Sequence, residues 1–269
     1  KLVVAWNGLT IGALARAGRL LNKPNFIVAA QRAADRVLAV VKSGFVPRLV
    51  ATNAPRGVLE DYAFLGNGLL DLYEADGNPK WLNAADQIAT TMLERFRDPT
   101  SGLLYQSDKD VSLLARRADM TDDAEPSGFG RALRLLSRLR SYGSPNASID
   151  VINQGLGQAA WLLERAPNNT VSLVMVAERM ARRSQEVVIA TPSMDHPTLQ
   201  EFKDVYNQSI RPHTVLAVVT PETAKELETF AAILGKDPGE NGPKAYVCFD
   251  GMCKLPTVDV KAFRKQLDE

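Results

Sequence analysis

Three groups of polar residues lie at or just before the starts of predicted helices, where their side chains could meet. The first group is Trp6 and Asn7, the second is Glu60, Asp61 and Tyr62, and the third is Asp122, Asp123, Glu125 and Ser127. An aromatic ring can stack on a sugar while carboxylates and amides bond its hydroxyls, and a carboxylate pair can supply acid and base for glycosidic cleavage. We therefore expect Asp61, Asp123 and Glu125 to be catalytic and the other six to bind substrate.

A purely structural role for these carboxylates stays open, because acidic side chains at helix starts are favoured by capping and by the helix dipole.

Epimerisation of a sugar normally needs a histidine as acid or base. The two histidines, His196 and His213, both lie in the last third of the chain, where we expect them to be exposed loop residues. No HExxH or other metal-ligand spacing occurs, so we expect neither a metal nor another cofactor.

The two cysteines lie close together near the end of the chain. Cys248 and Cys253 are separated by Phe-Asp-Gly-Met, which is not the CxxC redox spacing. Asp250–Gly251 is a turn signal that could bring the two sulfurs within bridging distance. We favour two free thiols, with a redox-active pair as the alternative.

The three polar groups must be positioned by helices, and the predicted helices follow a repeating pattern. Pro24 and Pro79 are 55 residues apart, and each suits the first turn of a helix. The apolar spacing predicts helices over 7–22, 24–42, 57–76, 79–97, 126–142, 146–166 and 170–184. Buried helices such as 57–76 alternate with amphipathic ones such as 79–97, where we expect Trp81 in the core.

This alternation predicts an inner and an outer set of helices, which is the pattern of an α/α toroid. Six hairpins close such a ring, and this chain supplies about three and a half. The three polar groups would then converge at one end of the inner helices. The arginines at 131, 134, 138 and 140 are interleaved with leucines on one helix, and we interpret them as a solvated face.

The last third of the chain has a different pattern. Short β-branched runs at 187–190, 215–219 and 245–248 alternate with helical patterns at 199–206, 224–234 and 260–267. Alternating strands and helices are typical of a small α/β unit with parallel pairing. The predicted fold is therefore mainly α, with a partial α/α toroid over 1–184 and an α/β segment over 185–269.

Composition excludes several classes of protein. The net charge is +1 over 269 residues, and a nucleic-acid binder usually carries a clear basic excess. No apolar run reaches the roughly 18 residues of a membrane span. Two cysteines are too few for a disulfide-stapled secreted domain, which favours an intracellular location without naming a compartment. The chain begins at Lys1, and we expect it to be a piece of a longer protein.

Several motifs, in order along nearly the whole chain, resemble those of the spermatogenesis-associated protein 20 family. They are Ala5-Trp6-Asn7-Gly8-Leu9, Leu59-Glu60-Asp61-Tyr62-Ala63-Phe64, Gly68 to Ala75, Pro126-Ser127-Gly128, Tyr246-Val247-Cys248 and Cys253 to Pro256. The resemblance implies an N-terminal thioredoxin-like domain ahead of this chain and a toroid similar to six-hairpin glycosidases and N-acylglucosamine 2-epimerases. One departure is Phe129-Gly130, which stands where the family usually has Asn-Ser.

These observations predict carbohydrate-type ligand binding in the toroid, with hydrolase-like or isomerase-like chemistry in the full-length protein as a further expectation. Its partners would be a sugar and, within the same protein, the thioredoxin-like domain and the remaining toroid helices. The alternative is a non-catalytic scaffold or redox-regulatory module that serves the thioredoxin-like domain, with Cys248 and Cys253 as its redox residues.

Overall fold

The computed structural model describes residues 1–268, which form ten α-helices and one four-stranded sheet. The first seven helices are α1 (Val4–Leu20), α2 (Pro24–Leu38), α3 (Leu59–Asp76), α4 (Pro79–Phe96), α5 (Gly128–Tyr142), α6 (Ile149–Arg165) and α7 (Val171–Ala181). A 3₁₀ turn, Pro167–Asn169, separates the last two. The seven predicted helices are confirmed, with ends that differ by a few residues.

The helices form two rows. α1, α3, α5 and α7 pack side by side in chain order, and α2, α4 and α6 each pack against neighbouring members of that first row. Because α3 is enclosed on most sides, nearly every residue from Leu59 to Glu74 is buried. α2 and α4 bury only one face each. Trp81, on the buried face of α4, is fully enclosed as predicted.

Glycines bring α1 and α3 unusually close. A Cβ added at Gly8 would lie 2.5 Å from the backbone nitrogen of Leu65, and one added at Gly68 would lie 2.3 Å from the carbonyl oxygen of Gly8. No larger residue fits at either position without separating the helices. This contact fixes the start of α1 beside the start of α3.

The C-terminal part contains β1 (Gln185–Ala190), α8 (Leu199–Asn207), β2 (Thr214–Val219), α9 (Pro221–Glu226), β3 (Lys244–Phe249), β4 (Met252–Cys253) and α10 (Val260–Asp268). The strand order is β2-β1-β3-β4. β1 and β2 are parallel as predicted, but β3 runs antiparallel to β1, so the prediction of purely parallel pairing is wrong. The helix predicted over 224–234 is also wrong, since α9 ends at Glu226 and turns follow it.

One face of the sheet packs on the helical rows, and α8 and α10 cover the other. Alternate residues such as Val188, Val215 and Tyr246 join the core of the helices, while Val187 and Leu216 pack with Phe202 on α8. The predicted boundary at 184/185 falls immediately before β1, although the two parts share one core. The hydroxyl of Tyr142 donates to the carbonyl of Leu216, so the sheet contacts the C-terminal end of α5.

Candidate functional site

A cleft of about 420 Å³ opens at the N-terminal end of α5. We call it the N-terminal cleft, after that end of the helix. The loop 122–126, the first turns of α5, the 3₁₀ turn and the start of α7 enclose it. Its lining residues are Asp122, Asp123, Ala124, Glu125, Pro126, Arg131, Arg134, Asn168, Asn169, Val171, Ser172 and Met175. Three of the predicted site residues, Asp122, Asp123 and Glu125, therefore share one wall of a cavity.

Asp122 builds that wall by joining the starts of α5 and α7. Its Oδ1 accepts from the backbone nitrogen of Ser127 at 2.8 Å, and its Oδ2 accepts from that of Ser172 at 2.7 Å. The Ser127 hydroxyl accepts from the nitrogen of Gly130 at 3.1 Å and lies 3.0 Å from the Ser172 hydroxyl. Both predicted substrate-binding residues thus have their polar atoms engaged within the protein.

Glu125 and Trp6 meet although they are 119 residues apart. The indole Nε1 of Trp6 donates to Glu125 Oε1 at 3.2 Å. The other carboxylate oxygen, Oε2, is buried and accepts no hydrogen bond from the described residues. Trp6 remains 55% exposed, and Asp123 is exposed in the loop 122–126. Two carboxylates therefore line the cleft, and the exposed aromatic ring of Trp6 is bonded to one of them.

Arg131 and Arg134 complete the cleft from α5. The Nε atoms of both side chains are buried without a hydrogen-bond partner, and neither guanidinium forms an ion pair within residues 1–268. Burial, together with the positive charge of neighbouring arginines, lowers the pKa of each to about 10. The cleft thus contains two partly buried guanidinium groups that form no ion pair with the described residues.

The prediction of a solvated arginine face is wrong, because Arg138 is buried and the other three arginines are only partly exposed. Arg138, one turn further along, is 4% exposed and bonds Asp71 and Glu74, each at 2.9 Å. Positions 131, 134 and 138 follow the spacing of three and four that places residues on one helix face. That spacing was the signal in the sequence that these three arginines share one face of the helix.

Glu60 and Asp61 lie outside the N-terminal cleft, at the junction of α1 and α3. Asp61 is fully buried and accepts from the nitrogens of Ala5 at 3.0 Å and Val58 at 2.9 Å. Arg48 bonds both carboxylates. Burial raises the pKa of Asp61 to about 6 against the opposing effects of these partners. Its bonds tie the starts of two helices together, which is a structural task.

Asn7 and Tyr62 are also outside the cleft lining. The amide of Asn7 donates to the carbonyl of Val3 at 2.7 Å within its own helix. Tyr62 is 2% exposed and packs edge-on against Phe96, with 5.0 Å between ring centroids. Of the predicted site residues, Asp122, Asp123 and Glu125 thus line the cleft, Trp6 and Ser127 bond to residues of its wall, and Asn7, Glu60, Asp61 and Tyr62 are not part of its lining.

The side chains of the two histidines each contact a polar group of the protein. His213 Nε2 lies 2.9 Å from a carboxylate oxygen of Glu178, and His196 Nδ1 lies 3.1 Å from the hydroxyl of Thr198. Both side chains are partly buried, so the prediction of exposed loop residues is only partly right. Among residues 1–268, no group of three His, Cys, Asp or Glu side chains is arranged to hold a metal ion.

Cys248 and Cys253 form a disulfide, so the prediction of two free thiols is wrong. The cause is the turn at Asp250–Gly251, which folds β4 back on β3 and makes the two cysteines direct cross-strand partners. Asp250 and Gly251 both have positive φ angles, 51° and 81°, as this tight reversal requires.

No family model matches the chain. Over 285 aligned residues it is 28% identical to human spermatogenesis-associated protein 20 and 27% identical to the mouse protein of that name, covering 99% and 100% of this chain. An uncharacterized protein of Caenorhabditis elegans is 25% identical over 280 residues, covering 98% of this chain.

The chain spans only 36% of the length of the human and mouse proteins. None of the helices among residues 1–268 is both long and apolar enough to cross a membrane. The similarity to the curated relatives runs along nearly the whole chain and agrees with the motifs found in the sequence. These similarities confirm the resemblance to the spermatogenesis-associated protein 20 family that those motifs indicated.

Proposed function

We propose that the N-terminal cleft binds a carbohydrate-type ligand that carries an acidic group. The observation that carries this proposal is the pair of unneutralised arginines, Arg131 and Arg134, beside the carboxylates of Asp123 and Glu125. A buried charge without a partner is costly. A carboxylate or phosphate on the ligand would supply the missing partner, because a guanidinium donates well to both groups.

The remaining polar groups suit the rest of such a ligand. Asp123 and the free Oε2 of Glu125 can accept from hydroxyl groups, and Asn168 also lines the cleft. Trp6, held by its bond to Glu125, presents an exposed ring on which an apolar sugar face can stack. A ligand with one acidic group and several hydroxyls fits this combination of arginines, carboxylates and an amide.

Catalysis is a further part of the proposal and concerns the full-length protein. Asp123 and Glu125 are the predicted catalytic carboxylates that line the cleft, whereas Asp61 is engaged elsewhere. In a hydrolase-like reaction, one of the two would act as acid and the other as base. The two helix rows agree with part of an α/α toroid, and we propose that further helices of the same protein complete the ring.

A thermal-shift comparison of three related sugars tests the binding proposal. The full-length protein is heated with glucose, glucuronate or glucose 6-phosphate, and a ligand that binds the folded state raises the melting temperature. We expect glucuronate or glucose 6-phosphate to raise it and glucose to have little effect, with a smaller rise in Asp123→Asn. An equal response to glucose would contradict the role of the arginines. The absence of any shift would contradict sugar binding.

The second candidate is a non-catalytic scaffold or redox-regulatory module that serves an N-terminal thioredoxin-like domain. The observation that favours it is the Cys248–Cys253 disulfide, because a bridge between neighbouring strands at the protein surface is accessible to a thiol reagent. This candidate predicts no response to any sugar and a response to reductants.

A further inference from the structure

The two halves of the Cys248–Cys253 disulfide have very different surroundings. Cys248 is 3% exposed, on the face of β3 that packs against the helical rows. Cys253 is exposed, in the two-residue strand β4 at the edge of the sheet. An incoming thiolate can therefore reach the bridge from the Cys253 side, while Cys248 remains within the core.

A lysine is held against the exposed sulfur. Lys236 Nζ lies 3.1 Å from Cys253 Sγ, and it also lies 5.1 Å from the centre of the Tyr246 ring. The Tyr246 hydroxyl bonds the backbone nitrogen and carbonyl of Asp237, which fixes the segment carrying the lysine. A neighbouring ammonium group stabilises a thiolate relative to a thiol.

The other charged groups around the bridge have their own partners or lie further along the cavity beside it, which measures about 340 Å³. Glu186 Oε2 accepts from the nitrogen of Gly251 at 3.2 Å. Asp250 accepts from the nitrogen of Ser184 at 3.1 Å and meets Arg183 at 3.4 Å. Arg140 lines the same cavity and adds positive charge.

We propose that Cys248 and Cys253 are a reversible redox pair that exchanges with a dithiol through Cys253. A thiolate of the dithiol attacks Sγ of Cys253, the bond to Cys248 breaks, and Cys248 leaves as a thiolate that takes up a proton. The second thiol of the dithiol, after losing its proton, then attacks the mixed disulfide and releases Cys253 as a thiolate beside Lys236. The cysteine pair gains two electrons, and the dithiol is oxidised to a disulfide.

Opening of this disulfide would affect the junction between the helical part of the chain and the C-terminal part. The turn between the cysteines is tied to Ser184, which lies between α7 and β1, and to Glu186 at the start of β1. Reduction removes the covalent link that holds β4 on β3. The inference gives the second candidate function a chemical site, and it stands or falls independently of the sugar proposal.

The test measures each cysteine separately in the full-length protein. Cys248→Ser leaves only Cys253 of the pair free, and Cys253→Ser leaves only Cys248; labelling by iodoacetamide is followed over time by peptide mass spectrometry. Because the thiolate is the reacting form, we expect Cys253 to react at least about tenfold faster than Cys248 near neutral pH. Equal rates would overturn the proposed order of attack.

Lys236→Met in the Cys248→Ser background removes the charge but keeps a long apolar side chain. We expect the labelling of Cys253 to slow severalfold, up to about tenfold if its pKa rises by one unit. Lys261→Met, which removes an exposed lysine on α10, is the matched control and should leave the rate unchanged. An unchanged rate in Lys236→Met would overturn the role of the lysine.

A measurement on the unmodified cysteines covers the case in which the serine variants do not fold. The wild-type protein is treated with dithiothreitol under native conditions, quenched by alkylation and scored for the Cys248–Cys253 peptide. We expect the bridge to open while the protein stays folded by circular dichroism, and to re-form after the reductant is exchanged for glutathione disulfide. Reduction only on unfolding would overturn the proposal, whatever the outcome of the sugar experiment.

Discussion

Arg138 and the pair Arg131 and Arg134 occupy the same face of α5, yet their surroundings are opposite. Arg138 meets Asp71 and Glu74 from α3, and its pKa is raised because these two carboxylates outweigh the effect of burial. Arg131 lies two turns and Arg134 one turn closer to the cleft, where no carboxylate of residues 1–268 forms an ion pair with them and the pKa of each is lowered. The same helix therefore carries one arginine that forms two ion pairs and two arginines that form none with the described residues.

The same contrast separates the acidic residues. The carboxylate of Asp61 accepts hydrogen bonds from two backbone nitrogens and from the guanidinium of Arg48. Glu125 has one oxygen bonded to Trp6 and the other buried without a partner. The carboxylate of Asp61 is fully bonded within the fold, whereas Glu125, Arg131 and Arg134 at the cleft each keep a buried atom without a partner among residues 1–268. Substitutions should therefore affect stability in the first region and binding in the second.

The largest stability effect is expected from Arg138→Met. The substitution leaves Asp71 and Glu74 buried, with Arg138 no longer there to neutralise them, and breaking a buried ion pair in this way costs about 3–5 kcal/mol. The free energy of unfolding, measured by urea denaturation, should fall by that amount. A loss below about 1 kcal/mol would mean that the network around Arg138 does not stabilise the fold.

A smaller loss is expected from Asp61→Asn, with Asp123→Asn as its matched control. The amide cannot accept from Ala5, Val58 and Arg48 as a carboxylate does, and an unsatisfied buried donor costs about 1–3 kcal/mol. Asp123 is exposed, so its replacement should change the free energy of unfolding by less than about 0.5 kcal/mol. Equal effects of the two variants would remove the distinction between the regions.

The pH dependence of stability should carry the signature of Asp61. Its pKa is about 6 in the folded protein and about 3.9 when unfolded. Between these values the folded state binds more protons, so stability rises as the pH falls from about 8 to about 5, by roughly 1 kcal/mol from this group. The difference between the wild-type protein and Asp61→Asn, measured by urea denaturation across that range, isolates the effect. A difference of the opposite sign would contradict the raised pKa.

The smallest stability effect is expected from Arg134→Met. Removing a buried charge that has no partner takes away a desolvation cost, so the free energy of unfolding should stay within about 1 kcal/mol of the wild-type value or rise. The same denaturation experiment that tests Arg138→Met provides the comparison. A loss as large as that of Arg138→Met would show that Arg134 has an essential partner in the protein.

The sequence predicted the helices well because their apolar spacing and their prolines are local signals. It also predicted that three polar groups would converge at the starts of the first-row helices; of these groups, Trp6 and Glu125 are in contact. It missed the pairing of Arg138, because Asp71 and Glu74 lie more than 60 residues away on another helix. The direction of β3 and the cysteine bridge were missed for a similar reason: both depend on how the chain returns to β1.

The most direct test of the unpaired arginines is a calorimetric titration of the full-length protein with glucuronate. The variants are Arg134→Met and, as a control on the same helix but outside the N-terminal cleft, Arg140→Met. Loss of a charge-assisted hydrogen bond predicts at least about tenfold weaker binding to Arg134→Met, with the wild-type affinity kept in Arg140→Met. Equal affinity of Arg134→Met and the wild-type protein would contradict the account.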